Sequence, residues 1–276
     1  MPQVDLGPVR LYYERTAATG EPVVLLHGSW TDHHTWDALV PPLAPALEVV
    51  VVDRRGHGSS YGPPREHPVR DDAHDLAELL SAIDLFPVHL VAHSYAGAVA
   101  LRLAFDRPEM VRSLSLHEPP FVGLLRQDPA GRPEADRLIG ETERLADLVR
   151  AGEAERAARA LAAGISMRED AWDRLPGTAR GALLKHADRW AEELGDPEAI
   201  SPDPAGLEDL WLPVLLSSGG RSPPFLRRIN ELLGASLRNA LLRELPDCGH
   251  LPQVSCPARY AGLLGTFLLE RNVPVS

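Results

Sequence analysis

The stretch Val88-His89-Leu90-Val91-Ala92-His93-Ser94-Tyr95-Ala96-Gly97 decides how this chain is read. Its first four residues form an apolar run that predicts a buried strand. The residues that follow, Ala98-Val99-Ala100-Leu101-Arg102-Leu103-Ala104, predict a helix. A serine on the tight turn between such a strand and helix is pushed out at the end of the sheet. The first backbone N–H groups of the helix lie beside it and can bind developing negative charge. The turn is strained and strand and helix approach closely, so its neighbours must be small. Ala92, Ala96 and Gly97 meet that need. The usual pattern is Gly-x-Ser-x-Gly, and both outer positions are alanine here. Taken alone, the hexapeptide also admits Ser94 as an ordinary helix N-cap.

On either side of this turn, strands and helices alternate. Residues 9–14 alternate like a half-exposed strand, and residues 22–26 form a fully apolar one ending in His27-Gly28-Ser29-Trp30. A helix carrying Trp36, Leu39, Val40 and Leu43 is expected next. Residues 47–52 form another buried strand, ending in Asp53-Arg54-Arg55-Gly56-His57-Gly58-Ser59-Ser60. Residues 71–83 show helical spacing, and residues 111–116 form the strand that ends in His117-Glu118-Pro119-Pro120. Fully apolar strands separated by helices predict a mostly parallel sheet covered on both faces. From residue 121 to about 204 no strand is evident. Amphipathic helices there break at Gly131-Arg132-Pro133, Gly164, Pro176-Gly177 and Gly195-Asp196-Pro197. This segment reads as a helical cap, residues 121–204, inserted into a core made of residues 1–120 and 205–276. The alternation resumes with a strand at 212–217, a helix at 223–233, a strand at 241–245 and a closing helix at 259–269.

Composition narrows the function classes. The net charge of −11 argues against nucleic acid or an anionic membrane as partner. No basic and apolar leader opens the chain, and no apolar run reaches the roughly 20 residues of a membrane span, so a cytoplasmic protein is expected. The two cysteines, Cys248 and Cys256, are accordingly expected as free thiols. With Lys185 the only lysine, a Schiff base or a phosphate-loop lysine is disfavoured. No metal-ligand cluster and no nucleotide-binding glycine fingerprint appears, so neither metal nor cofactor is expected.

Over essentially its whole length the chain resembles the α/β-hydrolase family. The resemblance rests on His27-Gly28 after a strand, the Asp53–Ser59 turn, the Ser94 elbow, and Gly249-His250 after the last strand, in that order. A hydroxyl needs a base, and imidazole suits the task near neutral pH. His250 has the best position, at the same sheet end as Ser94. His57 sits in a turn where the family uses its histidine structurally, and His27 is read as shaping the backbone. The family most often places the triad acid after the strand that follows the cap. Between Leu212 and Asn230 there is no Asp or Glu, and Ser222 stands where the acid would be. Asp247 is too near His250 in sequence to reach its ring from behind. Glu118, at the end of the strand before the cap, is the remaining carboxylate; its alternative is a turn cap or an arginine partner. The expected oxyanion donors are the N–H of Tyr95 and that of Ser29, with Trp30 next.

His117-Glu118-Pro119, the acid-free Gly219–Phe225 loop and Trp190-Ala191 also resemble the zearalenone lactonases. That resemblance implies an acid on this strand and a cap tryptophan against the substrate; Trp190, Trp30 and Trp172 are the candidates, with core packing as the alternative for Trp190. The expected activity is hydrolysis of a small-molecule ester or lactone. A cofactor-free lyase or oxygenase, or a ligand receptor on the same fold, are the competing readings. Dehalogenase and epoxide-hydrolase chemistry need an aspartate nucleophile, which Ser94 replaces.

Overall fold

The computed structural model describes residues 2–17, 20–202 and 204–270. Asp203, beside the expected boundary of the insert, and residues 271–276, part of the expected core, lie outside the described residues. The strands are β1 (Gln3–Asp5), β2 (Arg10–Arg15), β3 (Glu21–Leu26), β4 (Leu47–Val52), β5 (Val88–His93), β6 (Val111–His117), β7 (Val214–Gly219) and β8 (Ala240–Leu245). They form one sheet in the order β1-β2-β4-β3-β5-β6-β7-β8. The β1–β2 and β2–β4 pairs are antiparallel and the remaining pairs parallel.

The apolar strands serve two cores because successive side chains point to opposite faces. Val24, Leu26, Leu90 and Leu116 face the helices Pro68–Ala82, Ala96–Asp106 and Pro224–Ser236. Val23, Leu25, Val91 and Leu215 face Trp36, Leu39 and the closing helix Pro257–Glu270. The helix expected around Trp36 is instead a 3-10 turn, His33–Trp36, followed by a single turn, Val40–Leu43. Pro41 and Pro42 account for the break: proline fits only the first turn of a helix, where its missing N–H is not needed.

Between β6 and β7 the described residues are helical: Val122–Leu125, Arg132–Arg150, Ala154–Ser166, Ala171–Arg174, Gly177–Lys185, Ala187–Leu194, Pro197–Ile200 and Pro204–Glu208. This insert has its own apolar cluster around Leu145, Val149, Ala157, Trp172 and Trp190, which Trp30 joins from the β3 loop. Its two ends, including Phe121, Leu124, Ala199 and Leu207, pack into the sheet core.

The cysteines are not free thiols. Cys248 and Cys256 form a disulfide with Cα atoms 6.1 Å apart, inside the range a disulfide spans. The chain turns after β8 and folds back through the single helical turn Pro252–Ser255, which returns Cys256 to Cys248. No helix among the described residues is long and apolar enough to cross a membrane.

Candidate active site

The elbow forms as the small residues require. Ser94 has φ +53°, its N–H donates to the His117 carbonyl at 2.9 Å, and its own carbonyl accepts from the Gly97 N–H at 2.8 Å. The helix N-cap position falls on Tyr95 rather than Ser94, and the Ser94 hydroxyl makes no hydrogen bond among the described residues. Gly97 lets the helix approach the chain after Glu118, since a Cβ there would lie 2.8 Å from Pro119 Cβ. Gly28 does the same for the β3 loop: a Cβ would lie 2.7 Å from His93 Nδ1 and 3.1 Å from Ser94 Cβ. Of the non-glycine residues with positive φ, Trp30, Ser94 and Glu118 are all at the sheet end that carries Ser94. Strain of this kind persists only where the surroundings over-determine it.

His250 and Glu118 are brought together. His250 Nδ1 lies 2.7 Å from Glu118 Oε2, and Glu118 Oε1 accepts from the Gly219 N–H at 2.7 Å. The register explains the meeting. His117 pairs with Ser217 across β6 and β7, so Glu118 stands beside the end of β7. The acid-free loop after β7 thus supplies a backbone donor to a carboxylate on the neighbouring strand. Burial alone would raise the Glu118 carboxyl. The His250 hydrogen bond, the His117 and His250 rings and the Gly219 N–H outweigh it and lower the carboxyl to about 2. An ionised carboxylate only accepts, so Nδ1 of His250 carries the proton and Nε2 is left with a lone pair. Nε2 and the Ser94 hydroxyl are not hydrogen bonded here; such contacts are often long before substrate binds.

Two more histidines frame the pair. His93 Nε2–H donates to the His250 carbonyl at 2.7 Å, which ties the β8 loop to the elbow. His117 Nδ1 bonds the Ser217 hydroxyl at 2.9 Å, and burial lowers His117 to about 4 despite Glu118 nearby. Asp247 turns outward to Arg259 at 2.6 Å, and Ser222 is buried with its hydroxyl unpartnered among the described residues. His27 bridges two loops, donating from Nδ1 to Gly28 O and accepting the Arg54 N–H at Nε2. The backbone N–H groups of Tyr95, Ser29 and Trp30 have no hydrogen-bond partner among the described residues.

The tryptophans lie together in the insert's apolar cluster. Trp30 and Trp190 meet edge to face at 4.7 Å, and Trp172 is buried with Arg159 over its ring. Beside them is a buried ionic cluster that the sequence reading did not anticipate. Arg54 bonds Asp72 at 2.6 Å and Glu193 at 2.7 Å, and Arg65 bonds Asp72 at 2.8 Å. The Arg54 guanidinium also covers the Tyr95 ring at 4.6 Å. One group, Asp32, His33 and His34, has metal-like spacing, but the Nδ1 atoms of both histidines are engaged by Asp53 and Asp32.

A mostly parallel sheet sandwiched by helices, interrupted by a helical insert and bearing a serine on the strand–helix turn, is the α/β-hydrolase architecture. The chain belongs to the alpha/beta hydrolase family, whose model matches residues 23–263. It is similar to the soluble epoxide hydrolase of Corynebacterium sp. (strain C12), 34% identical over 112 residues, 41% of this chain and 39% of that protein. The chain spans only 30% to 39% of the length of such curated relatives. In fold it is similar to a hydrolase from Pseudomonas aeruginosa PA01 (TM-score 0.77, 23% identity, 97% and 98% of the two chains). It is likewise similar to the enol-lactonase from Burkholderia xenovorans LB400 (TM-score 0.76, 18% identity, 97% and 99%).

Proposed function

We propose that this chain is a serine hydrolase that cleaves a carboxylic ester or lactone of a small organic molecule. The observation that carries the reading is the Glu118–His250 bond at 2.7 Å, with the other carboxylate oxygen fixed by Gly219. It leaves the His250 Nε2 lone pair to accept a proton from the hydroxyl of Ser94, which has no hydrogen-bond partner among the described residues. Ser94 Oγ then attacks the substrate carbonyl carbon, and the carbonyl π pair moves to oxygen. The N–H of Tyr95 and that of Ser29, or Trp30 beside it, bind the oxyanion. Collapse breaks the bond to the alcohol oxygen, which takes the proton from His250. Water, deprotonated by His250, releases the acid from Ser94. The helical insert acts as the cap that sets substrate choice, with Trp30, Trp190 and Trp172 as its aromatic lining. An aspartate-nucleophile reaction has no carboxylate at the elbow to use. The test is a panel of aryl esters, lactones and thioesters with wild type and Ser94→Ala. The variant is expected to keep its fold and lose about 10³-fold or more of turnover. Near-full activity in the folded variant would overturn the assignment.

A further inference from the structure

We infer that Glu193 is a positioning residue for the oxyanion-binding loop, through which the helical insert sets the direction of the Ser29 N–H. The inference rests on the serine-hydrolase reading above. Glu193 lies on the insert helix Ala187–Leu194 and is 1% exposed. One carboxylate oxygen accepts from Arg54 at 2.7 Å and lies 3.6 Å from Arg65; the other accepts the Ser29 hydroxyl. Arg54 reaches the same loop from below. Its Nη2 donates to the Gly28 carbonyl and its Nε to the His27 carbonyl, both at 3.0 Å.

The geometry of the peptide unit makes these contacts consequential. A trans peptide is planar, and its C=O and N–H point in opposite directions. The Gly28 carbonyl and the Ser29 N–H belong to one such unit. Arg54 holds that carbonyl together with His27 Nδ1 at 2.8 Å and Thr31 Oγ1 at 3.3 Å, which aims the Ser29 N–H the other way, and this N–H has no partner among the described residues. Glu193 holds both ends of the arrangement, the Arg54 guanidinium and the Ser29 side chain. Arg54 is balanced by Asp72 and Glu193, and Arg65 by Asp72 and Glu192, in a buried setting where an unmatched charge is costly. Neutralising Glu193 leaves Arg65 with Asp72 and Glu192 but Arg54 with Asp72 alone, so Arg54 loses its tie to the insert and its hold on the Gly28–Ser29 peptide loosens.

The experiment uses the full chain with Glu193→Gln, which keeps the shape and loses the charge. Two inhibitors sharing one acyl shape are compared. An aryl trifluoromethyl ketone accepts the Ser94 oxygen at its carbonyl carbon, passing the proton to His250 and forming a tetrahedral oxyanion. The matching methyl ketone binds without adding. In Glu193→Gln, kcat/KM on an activated ester and affinity for the trifluoromethyl ketone are expected to fall together by about 10- to 100-fold. Methyl ketone affinity should change less than about twofold by the same principle. Equal weakening of both ketones would mean a packing role, and unchanged trifluoromethyl ketone affinity would refute any role in the oxyanion site. If the variant does not fold, Ser29→Ala removes only the hydroxyl contact and must show the same selective loss, at smaller size. A wild-type protein that binds the two ketones equally would instead strike the Ser94 reading, and this inference with it.

Discussion

Replacing Glu118 by glutamine isolates the charge and the proton-accepting character of one buried group. In the native arrangement both carboxylate oxygens accept, one from the Gly219 N–H and one from His250 Nδ1, each at 2.7 Å. A glutamine amide has one oxygen and one NH2 group, so it cannot accept from both. The Gly219 donor is backbone and cannot change its character. The amide oxygen therefore turns to Gly219 and its NH2 faces His250 Nδ1. That orientation forces the imidazole proton onto Nε2, pointing it at Ser94, where a lone pair is needed. The reverse orientation sets two donors face to face in a buried site, at about 1–3 kcal/mol. That cost alone leaves a minor productive population of roughly one in five to one in 150. The lost charge also no longer stabilises the imidazolium formed during attack. An asparagine at the equivalent acid of a serine protease costs about 10⁴ in turnover. Glu118→Gln is thus expected to lose about 10²- to 10⁴-fold in kcat, with KM little changed, in steady-state hydrolysis of an activated aryl ester. The folded state is checked by circular dichroism. A loss smaller than about fivefold, the least that the orientation argument allows, would refute the reasoning.

Four further outcomes are expected. Reducing the Cys248–Cys256 disulfide opens a crosslink across eight positions, worth about 2.5 kcal/mol by chain entropy. Because His250 lies inside that loop, melting temperature and ester turnover should fall together on reduction or in Cys256→Ser, and an unchanged melt would contradict this. His117, lowered to about 4 by burial, binds fewer protons folded than unfolded between pH 6.5 and 4. Stability is therefore lost as pH falls through that window, by about 2 kcal/mol at pH 5 from this group. Denaturant midpoints of wild type at pH 7 and pH 5 should differ by more than those of His117→Gln. Glu118, lowered to about 2, adds stability that is present above about pH 4.5 and lost only between there and pH 2. Trp190→Ala removes the edge partner of Trp30 and should shift preference between bulky and very small esters; equal losses on both would argue for packing alone.

The strands and the serine turn were readable because their signals are local: apolar runs bounded by turns, and small residues at positions 92, 96 and 97. Glu118 could be singled out by elimination, since the loop after β7 carries no acid, and the β6–β7 register supplies the reason it meets His250. The disulfide was not readable. The free-thiol expectation was drawn from the first residues of the sequence, whereas the pairing comes from how the chain folds back after β8. Glu193 was hidden for a different reason. Glu192 and Glu193 are adjacent on one short helix, and nothing in their spacing says which turns inward. The choice is made by Arg54, 139 positions away, which no linear pattern connects to the insert. The tryptophans were read as candidates to line the substrate site, and only the packing showed that Trp30 leaves the sheet domain to join Trp172 and Trp190 in the insert's apolar cluster.

The central claim is a covalent intermediate on Ser94. The direct measurement mixes the protein with an activated aryl ester, quenches in acid within the first turnover, and locates the added mass by peptide mapping. The account predicts a burst of alcohol approaching one equivalent per protein and an acyl mass on the peptide containing Ser94. The mass should be absent in Ser94→Ala and should persist longer in Glu118→Gln, where the water step also lacks its base. Full turnover with no burst and no acyl mass on Ser94 would contradict it.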